Sequence, residues 1–202
     1  MQNVSATLAA LVGSRLCHDL ISPIGAIQNG LELMSLTGDV GKNSPELTLI
    51  QDSCESAAAR IRFFRVAFGH ASEGHSMSKR EIGSTLSAIS KGGRLKADWN
   101  EEGDHARTDV QLCFLAHLCC ESALPMGGHV YFDRDAAGWT VRASGPRVNA
   151  DRALWDHLNG VGELPEPPAD KVHFALLPIL AQAHGRQLLA QVGPDNLTVK
   201  IA

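Results

Sequence analysis

In the stretch SRLCHDLISPIGAIQNGLELM, residues 14–34, His18 is followed directly by Asp19 and, five positions after the histidine, by Pro23. A neutral imidazole is a good nucleophile near neutral pH, because its ordinary pKa is about 6.5. Side chains at i and i+1 do not face each other directly on a helix. Even so, Asp19 can orient the ring through Nδ1 and leave Nε2 free to attack. Phosphoryl transfer needs positioning and in-line access more than covalent machinery. An exposed histidine on a rigid helix provides both. Ser22, one turn on, is placed to hydrogen-bond near a phosphoryl group. The chemistry these residues offer is phosphoryl acceptance by His18, with Asp19 and Ser22 assisting.

The element that must position them is a helix over residues 3–37, whose only proline is Pro23. At about 100° per residue, Leu16, Leu20, Ile27, Leu31 and Met34 fall within about 60° of one another and form an apolar stripe. The same arithmetic puts His18 about 180° from the stripe centre, on the solvent side. Leu11, Ser14, Arg15, Ile21, Ser22, Gly25 and Asn29 share that side. It carries small and apolar residues and one charge besides the histidine, a composition suited to docking by another protein. Pro23 and Gly25 weaken the helix just after His18, an interior proline costing about 3 kcal/mol. That cost points to a role for the segment beyond packing.

The break TGDVGKNSP contains Gly38 and Gly41, then Ser44 and Pro45 as a helix start. A second helix runs to about Ala67, antiparallel to the first. Two helices alone bury little core, so the hairpin is expected to pair with a second copy as a four-helix bundle. GHASEGHSMS, residues 69–78, reads as a linker, with the domain boundary near residue 75. Beyond it the pattern gives helices at 79–91, 107–123, 150–158 and 171–184. Strands are expected at RLKADW, at HVYFDR and GWTVRAS around the turn DAAG, and at RQLLAQV and NLTVKIA. In the last two strands apolar residues alternate with polar ones, giving a sheet with one face under helices. The expected architecture is a helical hairpin, 1–74, followed by an α/β sandwich, 75–202.

The chain of 202 residues has a formal net charge of −4, so no broad basic field calls for nucleic acid or an anionic membrane. The N-terminal MQNVSATLAALVG has no basic leader pattern, and the apolar run at 174–183 is well short of the ~20 residues that span a bilayer. A cytoplasmic protein is expected. The cysteines, Cys17, Cys54, Cys113, Cys119 and Cys120, are odd in number and form no CxxC, which argues against a disulfide framework. His117, Cys119 and Cys120 lie close together, but adjacent cysteines point about 100° apart on a helix. They are expected to pack as small hydrophobes rather than to hold a metal. His70, His75, His105, His129, His157 and His173 have no paired ligands, and His184 fits a helix end.

The segment CHDLISPIGAIQNGLELM resembles the phosphoacceptor box of sensor histidine kinases, in which a His-Asp or His-Glu pair precedes a proline and an apolar helix. It is more similar still to ChpT-type histidine phosphotransferases of bacterial phosphorelays. Arg15 to Asp19, Ile21-Ser22-Pro23, the RVAFG segment at 65–69, the SALP segment at 122–125 and Gly127-Gly128 all resemble that family, over nearly the whole chain. The resemblance implies a homodimer with a kinase-like hairpin and a domain shaped like a kinase ATPase. It also implies relay of phosphoryl groups through His18 between receiver domains, one on a hybrid histidine kinase and others on response regulators.

A working kinase nucleotide site has an asparagine for Mg²⁺, an aspartate that reads adenine, and glycines that let backbone approach phosphate. Here Cys119 stands about where the asparagine would be. The adenine turn reads Ala143-Ser144-Gly145-Pro146-Arg147-Val148, without the aspartate and without its second glycine. The phosphate turn reads Lys171-Val172-His173-Phe174. Gly160-Val161-Gly162 nearby is a lone GxG, followed by the proline-rich ELPEPPAD. No bound cofactor is expected, and Mg²⁺ only in the partner receiver. Docking is expected on Leu11, Ser14, Arg15, Ile21 and Gly25, with Arg62 and Arg65 of the second helix meeting acidic receiver surfaces. The alternatives are an ATP-dependent histidine kinase with divergent boxes, or a non-catalytic protein that binds a regulator.

Overall fold

A computed structural model describes residues 2–37, 44–72, 74–162 and 167–202. Helix α1, Gln2–Thr37, runs through Pro23 without interruption. The proline lacks the N–H that would meet the Asp19 carbonyl, so the helix forfeits one bond immediately beside the histidine. Gly38 and Gly41, expected to end this helix, lie outside the described residues. Helix α2, Pro45–Ala67, starts as its sequence dictates: the Ser44 hydroxyl accepts the Leu47 N–H at 3.2 Å, and Pro45 occupies the first turn. The two helices approach closely at Gly30, where an added Cβ would lie 2.6 Å from Ile50 Cγ1. Of the expected stripe, Leu16, Leu20, Ile27 and Met34 are half-buried, but Leu31 is 56% exposed within the single chain. One antiparallel partner covers only part of the stripe.

The second domain begins with strand β1, Ser76–Ser78, and helix α3, Lys79–Gly92, capped by the Ser78 hydroxyl on the Glu81 N–H. Strands β2, Leu95–Trp99, and β3, Asp104–Ala106, precede helix α4, Arg107–Ala123. The hairpin β4, Gly128–Asp135, and β5, Gly138–Ser144, leads to helix α5, Arg152–Leu158. A 3-10 turn, Ala169–Lys171, opens into helix α6, Val172–Ala183, and strands β6, Leu188–Val192, and β7, Asn196–Ile201, close the chain. The main sheet has the order β2-β4-β5-β7-β6, with β2 and β4 parallel and the other pairs antiparallel.

The tail of the expected linker is a strand. Ser76–Ser78 pairs antiparallel with Asp104–Ala106 in a small separate ribbon. The junction before it is stitched to α4, where Arg107 Nη2 donates to the Arg65 carbonyl at 2.8 Å. Helix α4 is the core of the domain. Residues Asp109 to Cys120 are all buried, because α2, α6 and the sheet cover the helix on every side. A helix enclosed in this way shows no single apolar stripe. Phe63 of α2 stacks on Phe114 of α4 with centroids 4.6 Å apart, so one continuous core reaches from the hairpin into the sandwich. Gly127, at φ +80°, lets the chain enter β4. A Cβ there would sit 2.2 Å from the Arg94 carbonyl oxygen.

Candidate functional site

His18 projects from the middle of α1 with 75% of its side chain exposed. Its Nδ1 lies 3.1 Å from Asp19 Oδ1, the contact needed to fix the ring, and Nε2 has no hydrogen-bond partner among the described residues. With Nδ1–H donating to the carboxylate, the Nε2 lone pair faces outward. Asp19 is only 8% exposed, held by two arginines on its other oxygen. Arg15 Nη2, one turn before it, is 2.9 Å from Oδ2, and Arg60 Nη1 of α2 is 3.3 Å from the same atom. Arg60 also reaches Glu121 Oε1 on α4 at 4.0 Å, and Arg15 Nη1 donates to the Asp170 carbonyl in the 3-10 turn at 2.9 Å. The histidine therefore stands on a carboxylate braced by both helices of the hairpin and by two segments of the second domain.

Around it, Ser14, Cys17, Ile21, Ser22 and Asn29 are exposed, and Leu11 and Gly25 are half-buried. Ile21 is 68% exposed, a large apolar side chain one turn from the histidine. Arg15 departs from expectation. The helical wheel puts it on the open face, yet its side chain is 12% exposed, because the second domain folds against it. It is a structural tie and not a free cation for docking. Arg62 and Arg65 are exposed. Arg62 lies about 200° round the helix from Arg60. It lines a cleft of about 490 Å³ between α2 and α3 with Asp52, Glu55 and Lys91, away from Asp19. The arginine of helix α2 that reaches the site is Arg60, which pattern reasoning passes over.

Of the positions expected to have lost nucleotide chemistry, Cys119, Ala143 and His173 are packed, whereas Arg147 is exposed and Lys171 half-buried. Cys119 is fully buried, and burial drives its thiol pKa well above the ordinary value. Cys120 is pushed up to about 12 by the same cause, and Cys113 is fully buried as well. Ala143 is buried in β5 between Val130 and Leu197. His173 is completely buried at the start of α6, with Nε2 3.0 Å from the Ser122 hydroxyl. Burial, and then the charges of Arg15 and Lys171, hold its pKa well below the ordinary 6.5. Beside it a cleft of about 300 Å³ is lined by Ser122, Asn149, Asp151, Trp155, Lys171 and Phe174, among others. Of ELPEPPAD, residues 163–166 lie outside the described residues. His117, Cys119 and Cys120 do not converge, and no group of three or more His, Cys, Asp or Glu fit to hold a metal occurs among the described residues. No described helix is long and apolar enough to cross a membrane.

Residues 79–196 match the family described as the histidine phosphotransferase C-terminal domain. The protein phosphotransferase ChpT of Brucella abortus (strain 2308) is 35% identical over 125 residues, 60% of this chain and 57% of that protein. The chain thus aligns with little more than half the length of that relative. A solved structure of a bacterial phosphotransferase superposes with a TM-score of 0.79, covering 96% of this chain and 95% of the other at 24% identity. That likeness, at under 25% identity, is one of fold, and it extends over both the hairpin and the sandwich of this chain.

Proposed function

The chain belongs to the histidine phosphotransferase family, and on that premise we propose that it relays phosphoryl groups between receiver-domain aspartates through His18. The observation that carries this reading is the pairing of an exposed His18 with a buried, braced Asp19 at 3.1 Å. The Nε2 lone pair forms the P–N bond as the P–O bond of an incoming aspartyl phosphate breaks, and that bonding pair returns to the receiver's carboxylate. Nδ1 keeps its proton, and the positive charge that builds on the ring lies against Asp19. Onward transfer runs the same step in reverse toward a second aspartate. The receivers would belong to a hybrid histidine kinase and to response regulators, docking over His18, Ser14, Ile21 and Ser22.

The protein supplies no nucleotide or metal of its own in this reading; Mg²⁺ belongs to the receiver. The filled positions of Cys119, Ala143 and His173 support that view. A cytoplasmic homodimer completes the proposal. Ile24, Leu31, Leu36, Leu49 and Ile61 are exposed on the hairpin, an apolar surface that a second hairpin would cover as a four-helix bundle.

The test is a transfer assay with labelled phosphate. The protein is incubated with ATP alone and then with phosphorylated receivers, each with and without His18→Ala. Label from receivers only, lost in the variant, is the expected result. Label from ATP alone would make the protein a kinase, and no label from any receiver would leave it a binding protein.

A further inference from the structure

We infer that Arg60 is a positioning residue for His18, acting through Asp19. The inference rests on the phosphotransfer reading above and deepens it. Asp19 has one oxygen for the histidine and one for the arginines. A carboxylate free to rotate would offer His18 either oxygen, or neither, and the ring would exchange its Nδ1–H and Nε2–H tautomers. Two guanidinium groups on Oδ2 remove that freedom, so Oδ1 stays turned to Nδ1. They are not equivalent. Arg15 lies on the same helix as Asp19 and moves with it. Arg60 comes from α2 and is itself steered by Glu121 of α4. Of the two, Arg60 is the one that bonds the carboxylate from a helix other than the one carrying His18, and so fixes the ring relative to the rest of the hairpin; Arg15 reaches outside α1 only through its second bond, to the Asp170 carbonyl.

Arg60 is too far down the chain of contacts to touch phosphate: it bonds Asp19, and Asp19 bonds the ring. Its loss should therefore slow transfer without weakening receiver binding. The variants are Arg60→Ala and Arg60→Lys, with Arg152→Ala on α5 as a control for removal of an exposed arginine. Two readouts are needed: the transfer rate from a saturating phosphorylated receiver with receiver affinity measured separately, and the tautomer of His18 from long-range ¹H–¹⁵N correlations of the free protein. Arg60→Ala should slow transfer by roughly tenfold, leave affinity unchanged and give a mixed tautomer. Arg60→Lys should recover part of the rate, since it keeps the charge but loses the fork. A wild-type tautomer in Arg60→Ala, a rate within about threefold of wild type, or a loss confined to affinity would each overturn the inference. The tautomer measurement needs no receiver. If the wild-type protein accepts no phosphate at all, the relay reading fails while the role of Arg60 in orienting the ring is still decided.

Discussion

The side-chain amide of Gln111 lies 2.7 Å from the carbonyl oxygen of Gly69, and the same nitrogen reaches the carbonyl of Ala67 at 3.2 Å. Ala67 is the last residue of α2, and helix C-termini leave carbonyls without intrahelical partners. Gln111, buried in the first turns of α4, supplies the missing donors from the second domain. Replacing it with alanine leaves two carbonyls unsatisfied at a buried junction. Gln111→Ala should lower stability by about 1–3 kcal/mol, read as an earlier urea midpoint.

Gly69 itself has no room for a side chain. A Cβ there would lie 2.2 Å from the Arg65 carbonyl oxygen, a backbone atom that cannot swing aside. Gly69→Ala should cost at least about 2 kcal/mol in the same denaturation experiment. The phosphoryl-acceptor rate of the folded fraction should change little, because His18 lies elsewhere on the hairpin.

Two buried histidines give the fold a pH dependence. His117 and His173 are fully enclosed, and burial holds both below the ordinary value of 6.5. The native state keeps them neutral where the unfolded chain protonates them. Stability is therefore full above about pH 7 and falls as pH drops through 6.5 toward their lower native values. Each histidine contributes a slope of up to about 1.4 kcal/mol per pH unit. Urea midpoints measured from pH 7.5 to 5.0 should fall, and His173→Phe should flatten that fall even if it is less stable throughout.

The cysteines divide by accessibility. Cys17 and Cys54 are exposed, whereas Cys113, Cys119 and Cys120 are buried, with thiol pKa values raised by burial. A thiol reagent at pH 8 should label two cysteines rapidly and the remaining three only on unfolding. Rapid labelling of Cys119 would mean that α4 is not the enclosed core described above.

Most of this arrangement is legible in the sequence, and the exceptions share a physical cause. Helix α4 and the hairpin β4–β5 announce themselves through length, composition and turn residues. β1 and β3 do not: SMS and DHA are too short to display any alternation, and they exist because they pair with each other. The exposure of His18 follows from a helical wheel drawn on α1 alone, whereas its contact with Asp19 does not, because neighbours at i and i+1 diverge on a wheel and the carboxylate is turned to the ring by its arginine partners. The fate of Arg15 does not, since the wheel knows nothing of the Asp170 carbonyl that covers that face. In ARIRFFR, the residues Arg60, Arg62 and Arg65 look alike as solvent charges. Which of them meets Asp19 depends on how α2 is rotated against α1, a property of the packed pair.

The hydrogen bond from Arg15 to the Asp170 carbonyl, with the 4.0 Å ion pair of Arg60 and Glu121, bears on how portable this site is. Severed near residue 75, the hairpin would retain His18 and Asp19 and forfeit both outside anchors. A hairpin grafted from this chain onto a foreign sandwich, or exchanged between relatives, would carry His18, Asp19 and both arginines without the Asp170 carbonyl and Glu121 that hold those arginines. The unit that aims the His18 ring is the hairpin together with the segments around residues 121 and 170, and exchange of the hairpin alone would require matching changes there.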